Sequence, residues 1–257
     1  MQQAFRAGLV AASAVTAFLA WTAPVSAQDA RAILKSVSDY VGAQENISAT
    51  FESDIEVLTP DLEKIQFTSS GRMALTRPDK LYAQRTGGYA DVELFYDGKT
   101  VTIRDRSANV AARVEAPATI DKIVDELRDK YGVEAPGADL LLSDTAAALT
   151  SGVVEAKYIG RGVIDGVECE HLAFRNDEVD WQLWVAVGPK PIPHKYVITS
   201  KTVTGAPQYT LRIRDWSEAE VGADSFAMKQ DNTKVVAFDE LGHVDEVPAG
   251  IVRETKP

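Results

Sequence analysis

The chain offers few residues that could do covalent chemistry. Its one cysteine, Cys169, and the nearest histidine, His171, form a Cys-x-His pair inside "VECEHLAF". On a strand both side chains leave the same face, roughly 7 Å apart at Cα by the strand rise. A thiolate beside an imidazole is the heart of one kind of nucleophilic site. Such a site also needs a group that orients the imidazole and donors for an oxyanion, and neither accompanies this pair. Burial as a small apolar residue is the commoner fate of a lone cysteine. Two groups of acids, Glu168/Glu170 and Asp125/Glu126/Asp129, raise a glycosidase or calcium site in turn. A glycosidase needs two carboxylates facing one cleft at a set separation, whereas these fall on the solvated faces of a strand and a helix. His171, His194 and His243 lie far apart, and zinc needs three or four converging ligands. The chain has no glycine-rich phosphate loop, Gly-x-Ser-x-Gly or His-Glu-x-x-His. The expectation is a protein that is not an enzyme, with no catalytic residue, metal or cofactor.

Bulk properties narrow the class further. Residues 1–27 carry one positive charge, Arg6, then an apolar run from Ala7 to Trp21 and a small-residue exit at Val25-Ser26-Ala27. That run is shorter than the ~20 residues of a spanning helix, and the exit is one a signal peptidase reads. Cleavage near Ala27 is expected, leaving a soluble exported chain from Gln28. No cysteine follows the apolar run, so a lipid-anchored form is not expected. Residues 28–257 fit one large β domain or two small ones, and a single domain is expected. A net charge of -11 without Lys/Arg runs makes a poor partner for phosphate backbones, so nucleic acid is excluded. With one cysteine there is no internal disulfide, and stability must come from the core, for which the 45% of apolar residues suffices.

The elements that would position any site follow from periodicity. Ala30, Ile33, Leu34, Val37 and Val41 make one helical stripe over about 29–44, with Asp29 as N-cap. From Ile47 the period becomes two, with Ile47, Ala49, Phe51, Ile55 and Val57 on one face. Further strands fall at Ile65–Thr76 and Lys80–Arg85, joined by an Arg77-Pro78-Asp79 turn. "DVELFYDGKTVTIRD" reads as a hairpin with a primed turn at Asp97-Gly98. The pattern then breaks at 119–149. Ile120, Ile123, Val124, Leu127 and Tyr131 mark one helix, and "GADLLLSDTAAAL" a second. Strands resume at Val153 and give about ten in all, with one more at Lys234–Phe238; the tail from about 229 carries little pattern. Consecutive strands with short turns predict a mainly β, α+β fold. It is a strongly curved antiparallel sheet forming an open, half-closed barrel, plugged by the N-terminal helix and the helical insert.

This order resembles the LolA/LolB-like lipoprotein-carrier superfamily of the bacterial periplasm, and within it a group of predicted exported proteins of unassigned function. The residues that carry the resemblance are "ISATFES", "GRMALTRPDKLYAQ", "LFYDGKTVTIRDRSANV", the helical insert, "DWQLWVAVGPKPIPHKYVITS" and "YTLRIRDWSEAEVGADSFAM". The resemblance implies a periplasmic, monomeric carrier or chaperone for a lipid or acylated polypeptide, with an envelope membrane protein as a further partner. It also implies that an Arg before the Pro of such a turn reaches the lid helices and holds the empty protein closed. The matching residue is Arg77. The aromatic that the carriers place shortly before it is absent, Met73-Ala74-Leu75 standing there instead.

The expected cavity residues are Phe51, Ile55, Met73, Leu75, Leu94, Tyr96, Trp181 and Leu183, and the expected lid residues Arg77, Ile120, Ile123 and Leu127. Periodicity gives these a face, not a void, so packed core remains the alternative for each. Two other functions stay open: an envelope sensor or interaction module on the same fold, and, more remotely, a thiol-dependent enzyme using Cys169 and His171.

Overall fold

The computed structural model describes residues 27–251 except Pro117, Glu134, Gln230, His243, Asp245, Glu246 and Ala249. The expected leader lies outside these residues but for Ala27. Helix α1 is Ala27–Ala43, and the run of period two that follows it produces β1 (Asn46–Leu58), β2 (Lys64–Thr76), β3 (Lys80–Gly87), β4 (Asp91–Tyr96), β5 (Thr100–Asp105) and β6 (Val110–Glu115). The insert holds α2 (Ile120–Tyr131), a 3-10 turn at Ala138–Leu141 and α3 (Thr145–Thr150). Then come β7 (Glu155–Ile164), β8 (Val167–Arg175), β9 (Val179–Ala186), β10 (Pro193–Ser200), β11 (Gln208–Ser217) and a late β12 (Lys234–Val236).

All twelve strands join one sheet in the order β12-β6-β5-β4-β3-β2-β1-β11-β10-β9-β8-β7. Two expectations change here. The sheet is mixed, because β12 pairs parallel to β6 while every other neighbour is antiparallel. It is also open rather than a half-closed barrel, with β7 and β12 as its two edges. It is nonetheless bent. Ile103 of β5 and Pro193 of β10 stand six strands apart, roughly 29 Å along a flat sheet at ~4.8 Å per strand. Both line one cavity of about 220 Å³, so the sheet curls round that space without its edges meeting.

Local chemistry explains the other departures. The expected second helix of the insert splits at Leu142, whose backbone is extended. The Asp144 side chain then caps a new start by accepting from the Ala147 amide. At the β4–β5 hairpin Gly98 takes a positive φ (90°) and Asp97 does not, so the two do not form the centre of a type I′ turn. Asp97 closes it instead, its carboxylate accepting from the amides of Lys99 and Thr100. The primed form occurs between β7 and β8, where Asp165 and Gly166 both have positive φ.

One main core unites the sheet's inner face with the helices. Ala30, Leu34, Val37 and Val41 of α1 are fully buried in it, and α1 packs on β7 and α3. Ile120, Ile123 and Leu127 of α2 are buried in the same cluster. No helix among the described residues is long and apolar enough to cross a membrane.

Candidate functional site

Strand register sorts the inner face into three rows. Nearest the Arg77 turn runs Ile47–Leu75–Leu81–Tyr96–Val101, each residue opposite the next on the neighbouring strand. All five are buried in the main core. Tyr96 is held further by its hydroxyl, which donates to the Ala116 carbonyl at 2.9 Å and accepts from the Ala118 amide at 2.9 Å. The middle row is Ala49–Met73–Ala83–Leu94–Ile103. Two alanines here leave space that larger side chains would fill. The third row is Phe51–Gly71–Arg85–Val92. Gly71 matters to it: a Cβ there would lie 2.2 Å from the Phe51 ring and 2.3 Å from the Gln84 carbonyl. The missing side chain lets the Phe51 ring lie over the sheet.

The middle and third rows form the floor of the cavity of about 220 Å³. Leu211, Ile213 and Trp216 of β11 form one wall, and Val133, Ala135, Pro136, Gly137, Ala138, Leu140 and Leu141 cover it. Gly137 allows the cover to descend. Its φ is +92°, and a Cβ would stand 2.6 Å from the Leu211 side chain. Apart from Gln84 and Arg85, the described lining is apolar or aromatic.

The expected cavity residues therefore separate by row. Phe51, Met73 and Leu94 line the cavity. Leu75 and Tyr96 sit one row deeper in packed core. Ile55 lies beyond the third row, opposite Phe67 and Tyr209. Trp181 and Leu183 belong to β9 on the other wing, where Trp181 stacks on Phe174 at 3.9 Å between centroids and Leu183 is fully buried. The cover residues Val133, Ala135, Pro136 and Ala138 went unread in the sequence. Their signal was there: an apolar, Pro-Gly-bearing link between two helical patterns.

Arg77 joins three pieces of chain. Its guanidinium donates to the carbonyls of Val41 (3.3 Å) and Gln44 (3.1 Å) at the end of α1 and of Leu141 (2.8 Å) in the insert. Its own amide donates to Glu45 at 2.8 Å. Carbonyls at a helix C-terminus lack helical partners and carry partial negative charge, which suits the guanidinium fork. Burial pushes the Arg77 pKa down, and nearby Asp121 opposes that shift. Asp121 also accepts from the Ser143 hydroxyl and amide. Gly42 of α1 lies so close to Ser143 that a Cβ would fall 2.5 Å from its carbonyl oxygen.

Cys169 and His171 are on the opposite, outer face. Cys169 is fully buried, and burial raises its thiol pKa. His171 stacks on Trp184 and sits 2.9 Å from Gln182 Oε1, while burial lowers its pKa. Both shifts favour neutral forms, the reverse of a thiolate–imidazolium pair. The acids are ion-paired at the surface: Glu168 and Glu170 with Arg161, Asp125 with Arg128, Glu126 with Lys130. No group of three or more metal-ligating side chains occurs among the described residues.

A family model described as a predicted periplasmic protein (DUF2092) matches residues 30–238. The chain belongs to this family. The match takes in every described residue of the cavity except Val244. Membership of DUF2092 also agrees with the exported leader read from the sequence. No curated protein matches. Among solved structures, this DUF2092 chain is similar to an uncharacterized conserved protein from Thermus thermophilus. The TM-score is 0.51 at 12% identity, covering 82% of this chain and 99% of that one, a likeness of fold. It is also similar to the lipoprotein LppX of Mycobacterium tuberculosis (TM-score 0.44, 13% identity, 77% and 100% covered). A LolA superfamily protein, NE2245 from Nitrosomonas europaea, is matched at TM-score 0.35 and 11% identity, with 77% and 97% covered.

Proposed function

We propose that this protein is a periplasmic carrier or chaperone that holds one acyl chain of a lipid or acylated polypeptide during envelope biogenesis, without chemistry of its own. The observation that carries this reading is the apolar cavity over the alanine row, covered by Val133, Pro136, Ala138 and Leu141 and lined by Phe51, Met73, Leu94, Ile103, Leu211 and Ile213. Burying alkyl carbon returns ~0.8 kcal/mol per CH₂, so about ten methylenes offset a good part of the association cost. No polar contact is required along the chain. The cavity's volume is about 220 Å³, below the ~300–1,000 Å³ of an ordinary small-molecule pocket. It suits one slender chain rather than several.

Arg77 and the buried stripe Ile120/Ile123/Leu127 are assigned here to the lid. The first anchors the insert to α1, and the second seats α2 in the core. The leader is removed near Ala27 and the mature protein works as a monomer. The test is native mass spectrometry of the mature protein, taken from periplasm without detergent. A discrete added mass that fragments to acyl chains supports the carrier. A protein still bare after incubation with lipids and acylated peptides removes it.

A further inference from the structure

The outer face of the sheet carries a second concave space, a cleft of about 640 Å³. Ala49 and Met73 border both this cleft and the apolar cavity, so one layer of strands separates the two. Its volume is within the ~300–1,000 Å³ of small-molecule pockets. The floor is Ser48 and Thr50 of β1, Arg72 of β2, Tyr82 of β3, Glu93 of β4 and Arg104 of β5. Asp224 and Lys229 stand at the rim, on a segment seated by Phe226, which is buried against Ala74, Tyr82 and Phe95.

Most of the charge here is satisfied inside the protein. Glu93 accepts from the Tyr82 hydroxyl at 3.1 Å and lies 3.7 Å from Arg104 Nη1, and Arg104 Nη2 meets Asp231 at 2.8 Å. Arg72 and Asp215 are held differently, each by a neutral hydroxyl. Arg72 Nη2 donates to the Tyr82 hydroxyl at 3.1 Å, its guanidinium 5.5 Å from the ring centroid. Asp215 accepts from the Thr50 hydroxyl at 2.6 Å. Thr50 is opposite Arg72 in register, so an acid and a base flank one residue. Neither forms an ion pair with the other, or with any described residue. A bulge in β11 brings Asp215 there: the register shifts between Ser48 and Thr50, and Asp215 takes a φ of +52°. Bulges re-aim side chains, and aspartate tolerates the left-handed region better than most residues. The Asp224 carboxylate at the rim is likewise without a partner among the described residues.

An acid and a base held apart in one cleft present opposite charges to a guest. We propose that the cleft binds a small zwitterion, a carboxylate or phosphate joined to an ammonium by a short link. The oxyanion takes the open donors of the Arg72 fork, and the ammonium takes Asp215 and Asp224. Tyr82 fixes the guanidinium beforehand, which lowers the ordering cost of binding. The site lies across the sheet from the apolar cavity and does not depend on what that cavity holds.

Calorimetric titration of the mature protein with glycine, O-phosphoethanolamine, acetate, ethyl phosphate and ethylamine tests the proposal. At least one zwitterion is expected to bind about tenfold or more tightly than acetate, ethyl phosphate and ethylamine. R72Q should weaken that zwitterion about tenfold or more. D215N should weaken it similarly while leaving any affinity for ethyl phosphate within about twofold. Asparagine tolerates the left-handed backbone and still accepts from Thr50, so D215N removes the charge alone. Preference for glycine makes the oxyanion a carboxylate, and preference for O-phosphoethanolamine makes it a phosphate; both sustain the proposal. Simple anions that bind as tightly as the zwitterions, or zwitterion binding that survives D215N, would overturn it and leave Arg72 an ordinary surface charge. Absence of binding by all five compounds overturns it outright and leaves the acyl-cavity reading untouched.

Discussion

Arg77 Nη2 donates to the Leu141 carbonyl at 2.8 Å, joining a β-turn to the insert across 64 positions of sequence. The same side chain holds the last carbonyls of α1. One guanidinium thus sets the position of the cover relative to both the sheet and the N-terminal helix. Its fork makes this possible, since Nε and Nη2 donate from separate points of one rigid plane.

Replacing that fork should loosen the cover before it unfolds the sheet. Arg77→Leu leaves three carbonyls without their charged donor, and each such hydrogen bond is worth ~1.5–3 kcal/mol. With water replacing part of the loss, destabilisation of roughly 2–4 kcal/mol is expected. Hydrogen exchange should rise at 138–150 and in the last turn of α1 more than in β8 and β9. Arg77→Lys should recover part of the loss. Uniform exchange across the chain, or none gained, would contradict the latch.

The alanine row makes a second prediction. Ala83 faces Met73 and Leu94, and Ala83→Leu would project into the cavity. Filling about 50 Å³ at ~24 cal/mol per Å³ returns roughly 1 kcal/mol, if the new side chain fits without strain. Thermal stability should rise slightly while retention of an acyl probe falls at least tenfold. A variant that is stabilised and still binds would place the ligand elsewhere.

Which of these features the sequence reveals depends on what kind of information each one needs. Period two put Met73, Leu75, Leu94 and Tyr96 on the inner face, and all four are there. Depth along that face was not legible. Leu75 and Tyr96 lie in packed core while Met73 and Leu94 border space, and the difference arises from where the insert lands. The alanines at 49 and 83 are the sequence signal of the void, yet they become neighbours of Met73 only once register is known. The turn that carries Arg77 was legible, because Arg-Pro between two strands is a local pattern. Arg85 as a cavity residue was not, because the Val244 carbonyl that its guanidinium meets comes from a distant segment. A strand at Lys234–Phe238 was legible and stands as β12, Lys234–Val236, but its parallel pairing with β6 was not, because no turn joins the two.

Two half-buried imidazoles predict a pH dependence. Burial lowers the pKa of His171, and also of His194, where Asp165 opposes the shift. A histidine held neutral in the fold contributes stability above its unfolded pKa of about 6.5, and that contribution is lost as pH falls below it. The lowered carboxylates, such as Asp180 beside Arg175 and Glu218 beside Lys190, contribute only at more acidic pH, fading below about pH 4. Urea midpoints should therefore fall between pH 7 and pH 5, and His171→Gln should reduce the slope. Stability that rises on acidification across that interval would reverse the assignment. Over the same range Cys169 should resist alkylation in the folded protein and react freely in denaturant, because burial holds it as the thiol.

Gly71 gives the sharpest steric prediction. A Cβ at that position meets the Phe51 ring at 2.2 Å and the Gln84 carbonyl at 2.3 Å. The ring can rotate away, but the carbonyl belongs to the ladder between β2 and β3 and cannot shift without breaking register. Gly71→Ala should therefore cost about 1–3 kcal/mol by chemical denaturation, although alanine suits a strand better than glycine. The displaced ring has the cavity as its nearest free space, so acyl binding should fall together with stability. Phe51→Leu in the same chain should recover part of the acyl binding but little of the stability, since it removes the ring contact and leaves the clash with the Gln84 carbonyl. If Gly71→Ala proves neutral, the Phe51 ring does not rest on β2, and the third row of the floor is built differently from the way described above.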